Sequence, residues 1–154
     1  MTETLERIRI TPRAVIVNEN EILLQHKVYE DGSERYVLPG GAIEPGETIE
    51  QALIRECQEE IGTIIMVEKL LHVADFFRER KTSPPTMRQQ VELLFQCRVP
   101  ENYLAQNGPA PDKHQVAVEW VALSHLEERL YPPAIVDKLL NLTINSPVYL
   151  GLIE

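Results

Sequence analysis

Twenty-three residues, Gly41 to Thr63, constrain this chain more than any other stretch. The run GAIEPGETIEQALIRECQEEIGT carries six carboxylates, one arginine and three glycines. Pro45-Gly46 is turn chemistry, Thr48 followed by Gln51 has the capping-box pattern, and Gly62 is a helix stop, so the spacing predicts a helix over about Ile49 to Ile61. At about 100° per residue, Ile49, Ala52, Leu53, Cys57 and Ile61 share one broad face, Glu56 and Glu60 fall inside it, and Glu59 lies at its edge. Carboxylates turned toward the protein body repel one another and lose hydration, which a cation must offset. The arginine of this helix, Arg55, points elsewhere. What remains fits a hard divalent ion, Mg²⁺ or Mn²⁺, which takes oxygen ligands.

A chain of 154 residues suits one domain, here residues 1–154, with a core large enough to need no disulfides. The formal charge of -9, from 24 acids against 15 bases, disfavours a nucleic-acid or anionic-membrane surface. Cys57 and Cys97 have no metal-type spacing and read as reduced, buried thiols. The N-terminus lacks a signal-type apolar core, and no stretch reaches the roughly 18 apolar residues of a membrane span. A cytoplasmic protein is the expectation. The uncharged run Leu139 to Ile153 is broken by Asn141, Asn145, Ser146 and Pro147, and reads as a helix end plus a tail that packs on the body or, in a homodimer, on a second subunit.

Ile8 to Val17 and Ile22 to Lys27, split by Asn18-Glu19-Asn20, predict a β-hairpin. Arg35 to Leu38 is a short strand leading into Pro39-Gly40-Gly41, whose glycines let the backbone approach an ion or phosphate. Ile64 to Phe77 predicts one bent strand or two short ones, and Gln89 to Val99 another. Between them, Arg78 to Arg88 holds four bases against one acid, as either a solvated hairpin tip or a phosphate-attracting loop in which Arg78 and Arg88 bind substrate. Glu101 to Gln115 is a long loop of the length that often carries function. Val116 to Leu123 is a strand, Ser124 is placed to cap a short helix to about Leu130, and Pro132-Pro133 to open another over about Ala134 to Leu142. His26, His72 and His125 lack partners at metal spacing and read as strand or surface residues. Strands, a central helix, more strands and terminal helices together make an α+β chain.

Gly41, five residues, Glu47, seven residues, then Arg55-Glu56-Cys57-Gln58-Glu59-Glu60-Ile61-Gly62 resembles the Nudix box, G-x5-E-x7-R-E-U-x-E-E-x-G-U with U a bulky apolar residue. Cys57 and Thr63 depart at the apolar positions and bear on packing rather than on the acids. The resemblance implies an α/β/α sandwich with a mixed sheet and the box loop and helix at its centre. It also implies Mg²⁺- or Mn²⁺-dependent hydrolysis of a diphosphate joining a nucleoside to another group. By the same resemblance Glu56 and Glu60 are the principal metal ligands, Glu59 is a further ligand or the base acting on water, and the Gly40 carbonyl completes the shell. Arg55 and Glu47 pair to brace the loop on the helix.

A base outside the box is common in the family, and Asp112, His114 and Glu119 are the candidates here. Phe76, Phe77 and Tyr103 are aromatic residues able to stack on a nucleobase or to fill the core. The alternatives to a hydrolase are a non-catalytic module binding a nucleotide or a protein, or an isomerase of the same family. The substrate stays unresolved, because Phe77-Arg78-Glu79-Arg80 matches neither the proline typical of relatives acting on ADP-ribose nor the tyrosine typical of those acting on diadenosine polyphosphates.

Overall fold

The computed structural model describes residues 3–4 and 7–153. Strands β1 (Glu3–Thr4), β2 (Arg9–Val15), β3 (Val17–Asn18), β4 (Glu21–Val28) and β5 (Glu34–Val37) precede helix α1 (Ile49–Ile61). Strands β6 (Met66–Arg80), β7 (Thr86–Arg98) and β8 (Gln115–Ala122) follow, then the short helices α2 (Leu126–Arg129) and α3 (Val136–Leu140) and a last strand, β9 (Tyr149–Ile153).

These strands form two sheets. In the mixed sheet, β6 and β7 make a long antiparallel hairpin, with β1 and β2 parallel to β7 on one side and β9 parallel to β6 on the other. The second sheet is antiparallel, with β4 flanked by β3 and β5 and, along its other edge, by β8. Buried side chains fall in two clusters on opposite faces of this β layer. One lies under α1 and includes Ala14, Ile16, Leu23, Leu53, Cys57, Ile61 and Cys97. The other lies under the C-terminal helices and includes Tyr36, Phe76, Leu94, Leu126, Ile135 and Ile153. Leu23 faces one cluster while its neighbours Ile22 and Leu24 face the other, as the strand period of two requires of a strand covered on both sides. The layers are therefore α/β/α, as expected.

Helix α1 keeps its predicted limits. Thr48 Oγ1 accepts from the Gln51 N–H at 3.1 Å, Gln51 Oε1 accepts from the Thr48 N–H at 2.9 Å, and Gly62 ends the helix at φ 74°. The first hairpin differs from expectation. Only Val17–Asn18 folds back, onto Glu21–Ile22, because the chain crosses between sheets at Ile16 and β2 gives its hydrogen bonds to β7. Alternation marks both segments as strands but does not choose their partners.

The basic run also differs. Arg78–Arg80 and Thr86–Arg88 continue β6 and β7, with Arg78 directly opposite Arg88, and only residues 81–85 form the tip. Ser124 caps nothing; the turn at Leu123–His125 starts instead from the Leu123 N–H donating to the Asn20 carbonyl. The tail adds to the body as β9, helped by His72, fully buried, whose Nδ1 lies 2.8 Å from the Pro147 carbonyl. No helix among the described residues is long and apolar enough to cross a membrane.

Candidate active site

The segment after β5 runs back along β2. The Ala14 N–H donates to the Pro39 carbonyl, the Ile43 N–H donates to the Ile10 carbonyl, and Arg13 pairs with Gly40 as an isolated bridge. This docking brings the Gly40-Gly41 turn under the acid-bearing face of α1. Gly40 has φ 141°, and a Cβ there would stand 2.1 Å from the Pro12 carbonyl oxygen. At Gly41 a Cβ would meet the carboxylate of Glu56 at 2.5–2.7 Å. One glycine is required by the backbone behind it, the other by the carboxylate in front.

Glu60 is the most enclosed acid of the helix, 3% exposed, and its Oε1 accepts from the Gly40 N–H at 3.0 Å. Burial pushes its carboxyl up to about 7, and the Glu56 charge adds to this. Gln25, Arg13 and the Gly40 N–H pull the other way. The Gln25 amide lies against Glu60, yet neither of its polar atoms makes a well-formed hydrogen bond. Burial also raises Glu56, against the pull of Arg55. Two desolvated carboxylates beside a tight glycine turn, offset in part by Arg55 and Arg13, are a donor set that fits a hard divalent cation. As they stand, no three acidic, His or Cys side chains among the described residues lie close enough together to hold one.

Arg55 explains that spacing and corrects the expectation that it points away from the acids. Its Nε and Nη2 grip Glu47 Oε2 and Oε1 at 2.6 and 2.9 Å, while Nη1 reaches Glu56 Oε1 at 3.0 Å and Glu59 Oε2 at 3.4 Å. A long side chain placed one and four residues from acids on the same helix curls back to them. The hydrogen bond from Arg55 holds Glu47 below the usual carboxylate range, and Glu47, first, then Glu56, raise the guanidinium. With Arg55 anchored bidentately on Glu47, only Nη1 would have to give way for Glu56 and Glu59 to turn to a metal.

The long loop Glu101 to Gln115 has a role that its sequence did not disclose. Helix α1 has no basic residue in its last turn, and the loop supplies the donors. The Gly108 N–H and Gln115 Nε2 donate to the Glu60 carbonyl at 2.9 and 2.8 Å, the Ala110 N–H to the Glu59 carbonyl at 2.9 Å, and the Tyr103 hydroxyl to the Ile61 carbonyl at 2.7 Å. Tyr103 is thus a cap rather than a platform for a base. A Cβ at Gly108 would stand 2.3 Å from the Glu59 carbonyl oxygen. Gly108→Ala is expected to cost about 1–3 kcal/mol, read as a lowered urea midpoint at constant slope. An unchanged midpoint would refute the capping role.

Of the base candidates, Asp112 is ion-paired with Lys27, which keeps its carboxyl low although burial alone would raise it. The His114 ring packs on Tyr29 with centroids 4.7 Å apart, and Glu119 Oε2 lies 3.4 Å from His26 Nδ1. Cys57 and Cys97 are free and buried, and burial pushes the Cys97 thiol up to about 12.

Between the two sheets lies an open cleft. At one end is Arg13, whose Nη1 donates to the Gly40 and Leu38 carbonyls at 3.1 and 3.4 Å and whose Nε donates to Glu92 Oε2 at 3.2 Å. The Gly40 carbonyl that was expected to face a metal therefore already accepts from a guanidinium. Glu92 Oε1 in turn accepts from Gln90 Nε2 at 3.0 Å. Arg78 stands at the other end, and Arg35 lies over the Tyr131 ring at 4.0 Å. Sequence reasoning passed over Arg13, Gln90 and Glu92. Their signal was a charged or amide side chain at inward positions of otherwise apolar strands.

Residues 7–139 match the family model described as the NUDIX domain. An ADP-ribose pyrophosphatase of Methanocaldococcus jannaschii is 42% identical over 59 residues, 38% of this chain and 35% of that protein. The nucleoside triphosphatase NudI of Klebsiella pneumoniae is 36% identical over 92 residues, 54% of this chain and 63% of that one. The chain thus spans less than two thirds of either relative. Among solved structures, a MutT NUDIX hydrolase from Burkholderia pseudomallei superposes with a TM-score of 0.64 at 27% identity, covering 90% of this chain and all of that one.

Proposed function

Because this chain belongs to the NUDIX family, we propose that it hydrolyses a pyrophosphate bond in a small nucleotide or nucleoside diphosphate derivative, with Mg²⁺ or Mn²⁺ as cofactor. The observation that carries this reading is the seating of Glu56 on Gly41 and of Glu60 on the Gly40 N–H, two desolvated carboxylates on a turn whose Gly40 carbonyl accepts from Arg13, a residue that lines the cleft. Glu56, Glu60 and Glu59 would hold the cation, and Glu59, the most exposed of the three, is also placed to take a proton from water. An ion so held would supply charge stabilisation to the pyrophosphate oxygens and would lower the pKa of water. Glu47 fixes Arg55, and Arg55 restrains Glu56 and Glu59 within reach of the turn. Gly40 contributes its N–H to orient Glu60, and its carbonyl remains a further oxygen donor beside Arg13. The apolar middle of the cleft, with Phe76 and Tyr131, takes the organic part of the substrate, and Arg78 and Arg88 bind it from the far side.

The test is a panel of dNTPs, ADP-ribose, nucleotide sugars and dinucleoside polyphosphates, read by product analysis with Mg²⁺, Mn²⁺ or EDTA. Turnover that needs the metal is expected from at least one class. The ion should also raise the thermal midpoint, since a ligand at a hundred times its Kd adds about 2.7 kcal/mol to stability. Binding of nucleotides without turnover of any would replace the hydrolase by a non-catalytic module.

A further inference from the structure

One wall of the cleft carries a polar group that the acid site does not use. Gln90 of β7 lines the cleft and is 2% exposed. Its Nε2 donates to Glu92 Oε1 at 3.0 Å, and Glu92 Oε2 accepts from Arg13 Nε at 3.2 Å. A carboxylate only accepts, so Glu92 fixes which end of the Gln90 amide faces it: the NH2 group turns to Glu92 and the oxygen away. That oxygen, Oε1, is buried without a hydrogen-bond partner. Arg9, level with Gln90 on β2, has its own Nε buried and unpartnered, so the two do not satisfy each other. An acceptor held in one orientation and left unpaired carries a desolvation cost, which a donor on a ligand would remove.

The surroundings of Gln90 suit the flat end of a nucleotide. Phe76 is its direct cross-strand partner, so the two side chains leave the sheet side by side on the cleft face. The Tyr131 ring stands edge-on to Phe76 with centroids 6.2 Å apart, and both line the cleft. Arg13 lines the same cleft and donates to the Gly40 carbonyl, in the turn that seats Glu56 and Glu60. It is level with Leu94, four residues from Gln90 along β7, which is about 13 Å of strand at 3.3 Å per residue. A single extended nucleoside 5′-diphosphate covers that distance from the edge of its base to its phosphates.

We propose that the Gln90 side-chain oxygen reads the nucleobase of the substrate by accepting a hydrogen bond from an exocyclic amine. The substrate class is then a nucleoside diphosphate derivative of an amino-bearing base, not of uracil or thymine. Those two bases carry carbonyl oxygens on either side of their one free ring N–H, and an oxygen brought to Gln90 Oε1 and the Glu92 carboxylate would meet acceptors only. Glu92, held by Arg13, is a positioning residue that keeps the amide from turning over. This rests on the hydrolase reading for the position of the phosphates, but the contact to the base does not.

Ligands that contain no pyrophosphate bond test the contact apart from the reaction. Affinities for the full chain are measured by calorimetry at fixed salt for three pairs of nucleoside 5′-monophosphates: adenosine and purine riboside, cytidine and uridine, guanosine and inosine. The first of each pair has the amine and the second lacks it. In at least one pair the amine is expected to tighten binding about tenfold or more. That ratio should collapse toward one in Gln90→Met, which keeps the length of the side chain and removes the amide oxygen. It should also fall in Glu92→Gln, which frees the amide to turn over; a ratio that this variant leaves unchanged removes the positioning role of Glu92. Circular dichroism checks that both variants keep the fold. Ratios near one in all three wild-type pairs overturn the proposal whatever the variants do, and mean that Arg9 or solvent meets the acceptor. A ratio that survives Gln90→Met overturns it too, as does no measurable binding of any of the six ligands. If the preference is found but no nucleotide of the panel is hydrolysed, the hydrolase reading fails and the base contact stands. Metal-dependent turnover without any preference gives the reverse.

Discussion

Glu60→Gln is expected to leave the fold intact and to lower metal-dependent turnover on the order of 10³-fold, the loss that follows from several kcal/mol of transition-state stabilisation. The amide has the shape of the carboxylate, and its oxygen can still accept from the Gly40 N–H, now 3.0 Å from Glu60 Oε1. The turn should therefore stay in place. What the variant loses is charge at the most enclosed point of the acid face. Because an uncompensated buried carboxylate costs more than a hydrogen-bonded amide, the variant without metal should melt no lower than the wild type. Adding Mn²⁺ or Mg²⁺ should raise the wild-type midpoint and leave that of the variant nearly unmoved. Turnover within tenfold of wild type, or an undiminished thermal response to the ion, would remove Glu60 from the proposed ligand set.

The adjacent glycines should fail in opposite ways. At Gly40 a methyl group would strike the Pro12 carbonyl oxygen at 2.1 Å, on a backbone with φ 141° that side chains rarely adopt. Strain of about 1–3 kcal/mol and overpacking of a similar size together predict a loss of about 3–5 kcal/mol for Gly40→Ala. That is a large part of the stability of a domain this size. At Gly41 the obstacle is the end of the Glu56 side chain, which can swing aside, so Gly41→Ala should keep most of its stability. Moving Glu56 off the turn also pulls it from its place beside Arg55, and a fall in metal response and turnover of about 10–100-fold is expected, the range for residues that orient metal ligands. Urea melts and turnover of both variants check the pair. The distinction fails if Gly41→Ala unfolds the protein or if Gly40→Ala is as stable as wild type.

Helix α1 was legible almost to the residue because its signals are local. Thr48, Gln51 and Gly62 act within one turn of the helix ends, and the burial of Leu53, Cys57 and Ile61 follows from their angle alone. The reach of Arg55 to Glu56 and Glu59 was misjudged because an angle places a Cβ, not the far end of a flexible side chain. Strand partners were less legible still. Nothing in Arg9–Val15 says that it pairs with β7 rather than with the strand that follows it, since that choice depends on which sheet covers which face. The capping of α1 by Gly108, Ala110, Gln115 and Tyr103 joins residues 42 to 55 positions apart, beyond any local pattern.

By itself, the sequence determined the box: a capped helix, an acid face, two glycines ahead of it, and the family those residues mark. Tertiary structure alone decided what surrounds it. It turned Arg13, Glu92 and Gln90 into a chain of hydrogen bonds along the cleft, and it set Arg78 opposite Arg88 at the cleft's other end. The physical reason is that helix caps and helical faces are governed by contacts within about four residues, whereas sheet register is a long-range choice made by the whole core.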